Sequence, residues 1–170
     1  MTALGNIVVG VVVECRKAAS QWIDFVWQPV TVLPGLPEAE PWTVLSQESD
    51  RTVFYAGTTT IELHRGETTN YRDNLASGRP SIWVALRPAD DQNPPYRVFA
   101  ATVDPAEGEA FTEAGNDLIE AVPMPDLIRE ALEVFVAEHH VERQFFKRKR
   151  DRVNKEALAR RVPGQEGDSK

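Results

Sequence analysis

The chain has 170 residues, of which 42% are hydrophobic and 8% aromatic, and its net charge is −7; these values describe a folded domain with a real core and exclude a disordered chain. Its single cysteine, Cys15, excludes an intrachain disulfide and a zinc site built from several thiolates. The charge is unevenly divided: residues 1–141 hold nine basic and twenty-one acidic side chains, a net −12, and residues 142–161 hold nine basic and three acidic, a net +6.

In chain order, Ile7 to Val13 is an unbroken β-branched run around Gly10. It predicts a strand buried on both faces, with Gly10 marking a bulge or a close approach. Ser20 to Val26 predicts a short helical turn or an irregular segment anchored by Trp22 and Trp27. Pro29 to Leu33 and Trp42 to Gln47 are two further strands, separated by Pro34-Gly35 and a loop from Leu36 to Glu40. Arg51 to Ala56 and Thr58 to His64 predict a hairpin turning at Gly57, with Ile61 and Leu63 on its buried face. Thr68 is placed to cap a helix that ends at Gly78, with Tyr71 and Leu75 inward.

Ser81 to Arg87 and Tyr96 to Val103 predict strands joined by the polar, proline-bounded loop Pro88 to Pro95. Asp104, Pro105 and Glu107 spell a capping box for a helix that stops at Gly115 or Asn116. Leu118 to Val122 is a last strand or a linker. After Pro125, the stripe Leu127, Ile128, Ala131, Leu132, Phe135 and Val136 predicts an amphipathic helix. A second, weakly amphipathic helix is expected from Val141 to Ala159, ended by Pro163-Gly164. The predicted fold class is therefore α+β: a mainly antiparallel, curved sheet of six or seven strands, helices segregated to the C-terminal half, and a projecting basic C-terminal helix. The predicted domains are a globular 1–140, a basic extension 141–161 and a disordered tail 162–170.

Few residues point to chemistry. Cys15 stands beside Arg16 and Lys17, which can favour a thiolate, but no histidine is placed to serve it. His139 and His140 are adjacent, and neighbours on a helix point about 100° apart, so they do not readily share one metal ion. His64 is expected to be an exposed strand residue. The acids Asp90, Asp91, Glu107 and Glu109 lie in polar contexts that do not suit acid–base work. No glycine belongs to a phosphate-binding pattern. The tryptophans are expected to pack against the sheet. No catalytic residue, metal or cofactor is expected, no secretory leader is expected ahead of the short apolar run, and the predicted location is the cytoplasm.

The opening Ile7-Val8-Val9-Gly10-Val11-Val12-Val13-Glu14 is followed by Trp22-x-Asp24-x-x-Trp27-x-Pro29-Val30-x-Val32-Leu33-Pro34-Gly35 and closes with Phe146-Lys147-Arg148-Lys149-Arg150. This pattern resembles an uncharacterised bacterial family, domain of unknown function 3305. The resemblance implies genes often found near those of formate dehydrogenase and its molybdenum cofactor assembly, and hence an accessory role. It carries no assigned catalytic residues.

On that footing the expected function is a non-catalytic accessory or adaptor protein for formate dehydrogenase or molybdoenzyme maturation. The expected contact residues are Phe145, Phe146, Lys147, Arg148, Lys149, Arg150 and Arg152, which interleave aromatics and cations. They would meet an acidic surface on a protein partner or on an oligomer mate. Two alternatives stand beside it: a nucleic-acid-binding protein using the same basic helix, and an enzyme of cofactor metabolism. No membrane span is expected, because no window approaches the roughly 20 apolar residues required.

Overall fold

In the computed structural model, residues 5–113 and 115–141 are described. The first compact unit ends at His140, and of the second, from Val141 to Lys170, only Val141 is described. The basic helix and tail expected there lie outside the described residues.

The first unit is α+β. Its strands are β1 (Gly5–Lys17), β2 (Phe25–Pro34), β3 (Thr43–Gln47), β4 (Arg51–Leu63), β5 (Ser81–Pro88), β6 (Tyr96–Thr102) and β7 (Leu118–Pro123). Its helices are α1 (Thr68–Ala76), α2 (Pro105–Glu113) and α3 (Asp126–His139), mostly in the latter half. The strands form two antiparallel sheets rather than the single sheet expected, in the orders β2-β1-β4-β3 and β6-β5-β7. β6 lies beside β4, and β2 beside β7, without a ladder between them. The two sheets thus wrap around one shared core as a partly open barrel.

β1 is the centre, and its valines explain why. Val9, Val11 and Val13 point into the core with Val32, Ile61, Ile82, Val84 and Leu86. Val12 and Glu14, on the opposite face, are buried too. Gly10 serves as a close approach: a Cβ there would come 2.8 Å from the Tyr55 ring and 3.0 Å from Pro37.

The hairpin expected at Gly57 is absent. Residues 51–63 form one continuous strand, and Gly57, at φ +138°, sits beside an extra residue in its pairing with β1. Val11 pairs with Gly57 and Val12 with Tyr55, so Ala56 is the surplus residue. On the other side of β1, Val12 pairs with Thr31 and Val13 with Pro29, leaving Val30 surplus. Two bulges therefore flank β1 at the same level, bend the sheet and shift the phase of both neighbours. The shift brings Phe54, opposite Val13, and Trp27, opposite Cys15, onto the inward face.

The two ends of the barrel are closed differently. At one end α1 and α3 supply Tyr71, Ile128, Leu132 and Phe135 to the core, with the Tyr71 and Phe135 rings 6.2 Å apart edge to face. The apolar stripe of α3 is narrower than its spacing suggests, since Leu127 and Ala131 are exposed. At the other end Trp27, Trp42, Phe54 and Tyr96 pack ring against ring, with centroids 5.7–6.0 Å apart.

Buried polar groups tie the layers together. Asn74 donates to the carbonyls of Ser81 at 2.8 Å and Val103 at 2.9 Å, and its Oδ1 accepts from the Ser81 N–H at 3.0 Å. Asp104 caps α2 as expected, accepting from the Ala106 N–H at 2.9 Å. Glu107 does not close the box. Thr102 Oγ1 accepts from the Asp104 N–H and donates to Glu107. Thr68 is likewise not a cap, because its hydroxyl donates to the Arg65 carbonyl.

Candidate functional site

The residues that could carry chemistry are dispersed. Cys15 lies on β1 opposite Thr52 and Trp27, and partial burial pushes its thiol above the usual range. Arg16 does not activate it, because its guanidinium is paired with Glu14, which also binds Arg51 at 3.1 Å. Glu14 is only 3% exposed, so this pairing serves a buried carboxylate.

His139 and His140 diverge. His139 rests on the Phe135 ring with Nε2 3.8 Å from Glu138. His140 lies 3.1 Å from Arg72 through Nε2 and 3.1 Å from Thr68 through Nδ1. A guanidinium only donates, so Nε2 accepts and Nδ1 carries the hydrogen. The ring is a clasp between α1 and the end of α3. Among the described residues no group of histidine, cysteine and acidic side chains is arranged to hold a metal ion.

His64 departs from expectation. It follows β4, is partly buried, and donates its backbone N–H to the Tyr71 hydroxyl at 2.9 Å. Its Nδ1 is buried without a hydrogen-bond partner. With Thr59, Thr60, Glu62, Thr102 and Glu107 it lines a small polar cavity of about 180 Å³ along β4 and β6. The set has hydroxyls and carboxylates, and the pair joined in it, Thr102 to Glu107, is held at the start of α2, where the Thr102 hydroxyl also accepts from the Asp104 N–H.

The largest departure from an ordinary monomer surface is at the end closed by the aromatic cluster. The β1–β2 connection is drawn together by the Ala18 N–H on the Asp24 carbonyl, at 3.1 Å. Of the two expected alternatives the irregular segment is the one found, over residues 18–24, while Phe25 and Val26 already belong to β2. The two expected anchors part company: Trp27 joins the cluster, but Trp22 is 91% exposed. Ile23, Phe25 and Val26 beside it are each about half exposed. Arg16 and Lys17 pair across from Val26 and Phe25 and give this apolar tip a basic rim. The β3–β4 turn belongs to the same end, since the Asp50 carbonyl accepts from the Lys17 N–H at 2.9 Å. The run Trp-Ile-Asp-Phe-Val, with no buried counterpart for its side chains, was the available signal in the sequence.

The seven expected contact residues, Phe145, Phe146, Lys147, Arg148, Lys149, Arg150 and Arg152, lie outside the described residues. The sequence profile of a protein family of unknown function, DUF3305, matches residues 8–150. The chain belongs to the DUF3305 family. The matched span takes in all but the first three residues of β1, the rest of the barrel, the exposed hairpin tip and the basic run as far as Arg150. No curated protein and no solved structure matches the chain. Among the described residues of this DUF3305 protein, no helix is long and apolar enough to cross a membrane.

Proposed function

We propose that this protein is a non-catalytic accessory protein that docks a protein partner in the cytoplasm of a bacterial cell. The observation that carries the reading is the hairpin tip, where Trp22, Ile23, Phe25 and Val26 lie within five residues of one another and are each about half exposed or more. Contiguous exposed apolar side chains with a polar rim mark a surface made to be covered. Burying one such side chain is worth about 1.5–3 kcal/mol, and about 1.4 kcal/mol is tenfold in affinity. Three of the four are already about half buried and would yield roughly half of that, and association itself costs several kcal/mol, so the tip acts with a second element.

The second element is the basic segment, with Phe145, Phe146, Lys147, Arg148, Lys149, Arg150 and Arg152 as contacts for an acidic surface on the same partner. The family match reaching to residue 150 supports counting this segment with the domain. The gene neighbourhood implied by the family resemblance makes formate dehydrogenase, or its molybdenum cofactor assembly, the partner system.

The test is a pull-down from the native host combined with formate dehydrogenase assays. Trp22→Ala with Phe25→Ser should reduce recovery of the partner at least tenfold. Changing Lys147, Arg148, Lys149 and Arg150 to Glu should lower enzyme activity in the cell. Unchanged activity and recovery in both variants would defeat the reading. Tight binding of generic DNA or RNA with a steep salt dependence would replace it with nucleic-acid binding.

A further inference from the structure

β3 is an edge strand with little to guard it. It forms the outer border of the four-stranded sheet, and all five of its residues are exposed. Its sequence, Thr43-Val44-Leu45-Ser46-Gln47, contains no charge and no proline. Val44 and Leu45 are each about half exposed. Edge strands in stable monomers are usually protected by lysine, proline or a strong twist, because their free N–H and C=O groups template further pairing. Among the described residues the edge is blunted by the extra residue Leu45, where Val44 pairs with Phe54 and Ser46 with Val53, and at its start by the Thr43 N–H, which the Glu40 carbonyl takes at 3.2 Å.

The charge around this edge specifies what can pair with it. Glu38 and Glu40 precede the strand, and Glu48 and Asp50 follow it. All four are exposed, and none has an ion pair among the described residues. A second copy pairing antiparallel across a two-fold axis would set Glu38 and Glu40 against the mate's Glu48 and Asp50. Like charges facing across strands disfavour that arrangement. A strand with an uncharged, β-branched middle and Lys or Arg at both ends meets the opposite condition.

We infer that β3 accepts an extended segment of the partner protein as an added strand, and that this segment is apolar or β-branched at its centre and basic at both ends. The main chain supplies the affinity, and the two acidic brackets supply register and selectivity. The inference rests on the reading of this protein as one that docks a protein partner. It deepens that reading by naming the shape and charge of the captured segment.

The experiment uses the full chain and a fluorescein-labelled peptide, Lys-Lys-Val-Thr-Val-Thr-Val-Lys-Lys, followed by anisotropy. The expected result is saturable binding that weakens at higher salt. It should weaken at least about tenfold when alternate peptide amides are N-methylated, and a peptide with Glu in place of Lys should not bind. Leu45→Lys should weaken binding at least about tenfold with an unchanged far-UV circular dichroism spectrum. Glu40→Lys with Glu48→Lys should transfer the preference to the Glu-flanked peptide. Equal binding of the N-methylated peptide would overturn the inference, as would no binding at millimolar peptide. So would sedimentation showing dimers that Leu45→Lys dissolves, which would assign the edge to a second copy. A failed peptide titration beside a successful partner pull-down through Trp22 sinks the added strand alone.

Discussion

Gly108→Ala sets two known effects against each other. Gly108 is buried within α2, and a Cβ there would fall against the Trp83 indole, 2.6 Å from Cδ2 and 2.7 Å from Cδ1. Carbon atoms rest at about 3.5–4.0 Å, and the indole Cγ would lie closer still than these two, so helix and ring must separate by roughly 1 Å or more. Such overpacking costs about 1–3 kcal/mol. Against it, alanine is better than glycine inside a helix by about 1 kcal/mol. Because the Cβ would meet the root of a ring and not the tip of a flexible chain, the upper part of the overpacking range, about 2–3 kcal/mol, applies, for a net loss of about 1–2 kcal/mol and a fall in Tm of about 2–8 °C. Urea denaturation and thermal melts measure both. In a Trp83→Ala background the side chain beyond Cβ is gone, and Gly108→Ala should become neutral or stabilising, a coupling that a double-mutant cycle reads directly. A stabilised single variant, or the same loss in both backgrounds, would refute the packing argument.

Two further outcomes follow from buried polar groups. Asn74→Ala should cost about 3 kcal/mol in urea denaturation, since it leaves the Ser81 N–H and the Ser81 and Val103 carbonyls without their partner. Asn74→Asp should cost more, because a carboxylate would face two carbonyl oxygens it cannot bond. Burial pushes the Tyr71 phenol up to about 12, and the neighbouring charges of Asp104, Glu67 and Glu107 push the same way. Because its folded value lies above the unfolded value of about 10, the stability it contributes is complete below pH 10 and is lost as pH rises toward 12. Absorbance titration should show one tyrosine ionising near pH 12, and Tyr71→Phe should abolish that step while losing about 1 kcal/mol at neutral pH.

Much of the fold was legible in the residues. The valine run of β1 and the three- and four-residue spacing of α3 identify elements whose periodicity is set by burial alone. The misreadings share a cause. Gly57 looks like a turn glycine because glycine at positive φ serves a bulge as well as a hairpin, and only the continuous partner strand β1 decides between them. Trp22 and Trp27 looked equivalent, yet Trp27 lies on the inward face of β2 and Trp22 lies in the connection before β2 begins, a distinction made by where the strand starts and not by composition. Glu107 has the spacing of a capping box, but Thr102, from the preceding strand, competes for both groups. The seam between β4 and β6, with its polar cavity, joins distant residues and left no local trace.

The paired surplus residues on either side of β1 also restrict how relatives of this chain can diverge. Each works like a half-step inserted into a two-step rhythm. Removing Ala56 would leave Tyr55 opposite Val12 and Phe54 opposite Val13 in an unbroken ladder, so the facing would survive and the bend would be lost. One residue on each side of β1 thus sets the curvature that carries the aromatic end. The hairpin tip beyond it is free to change residue by residue without disturbing that curvature.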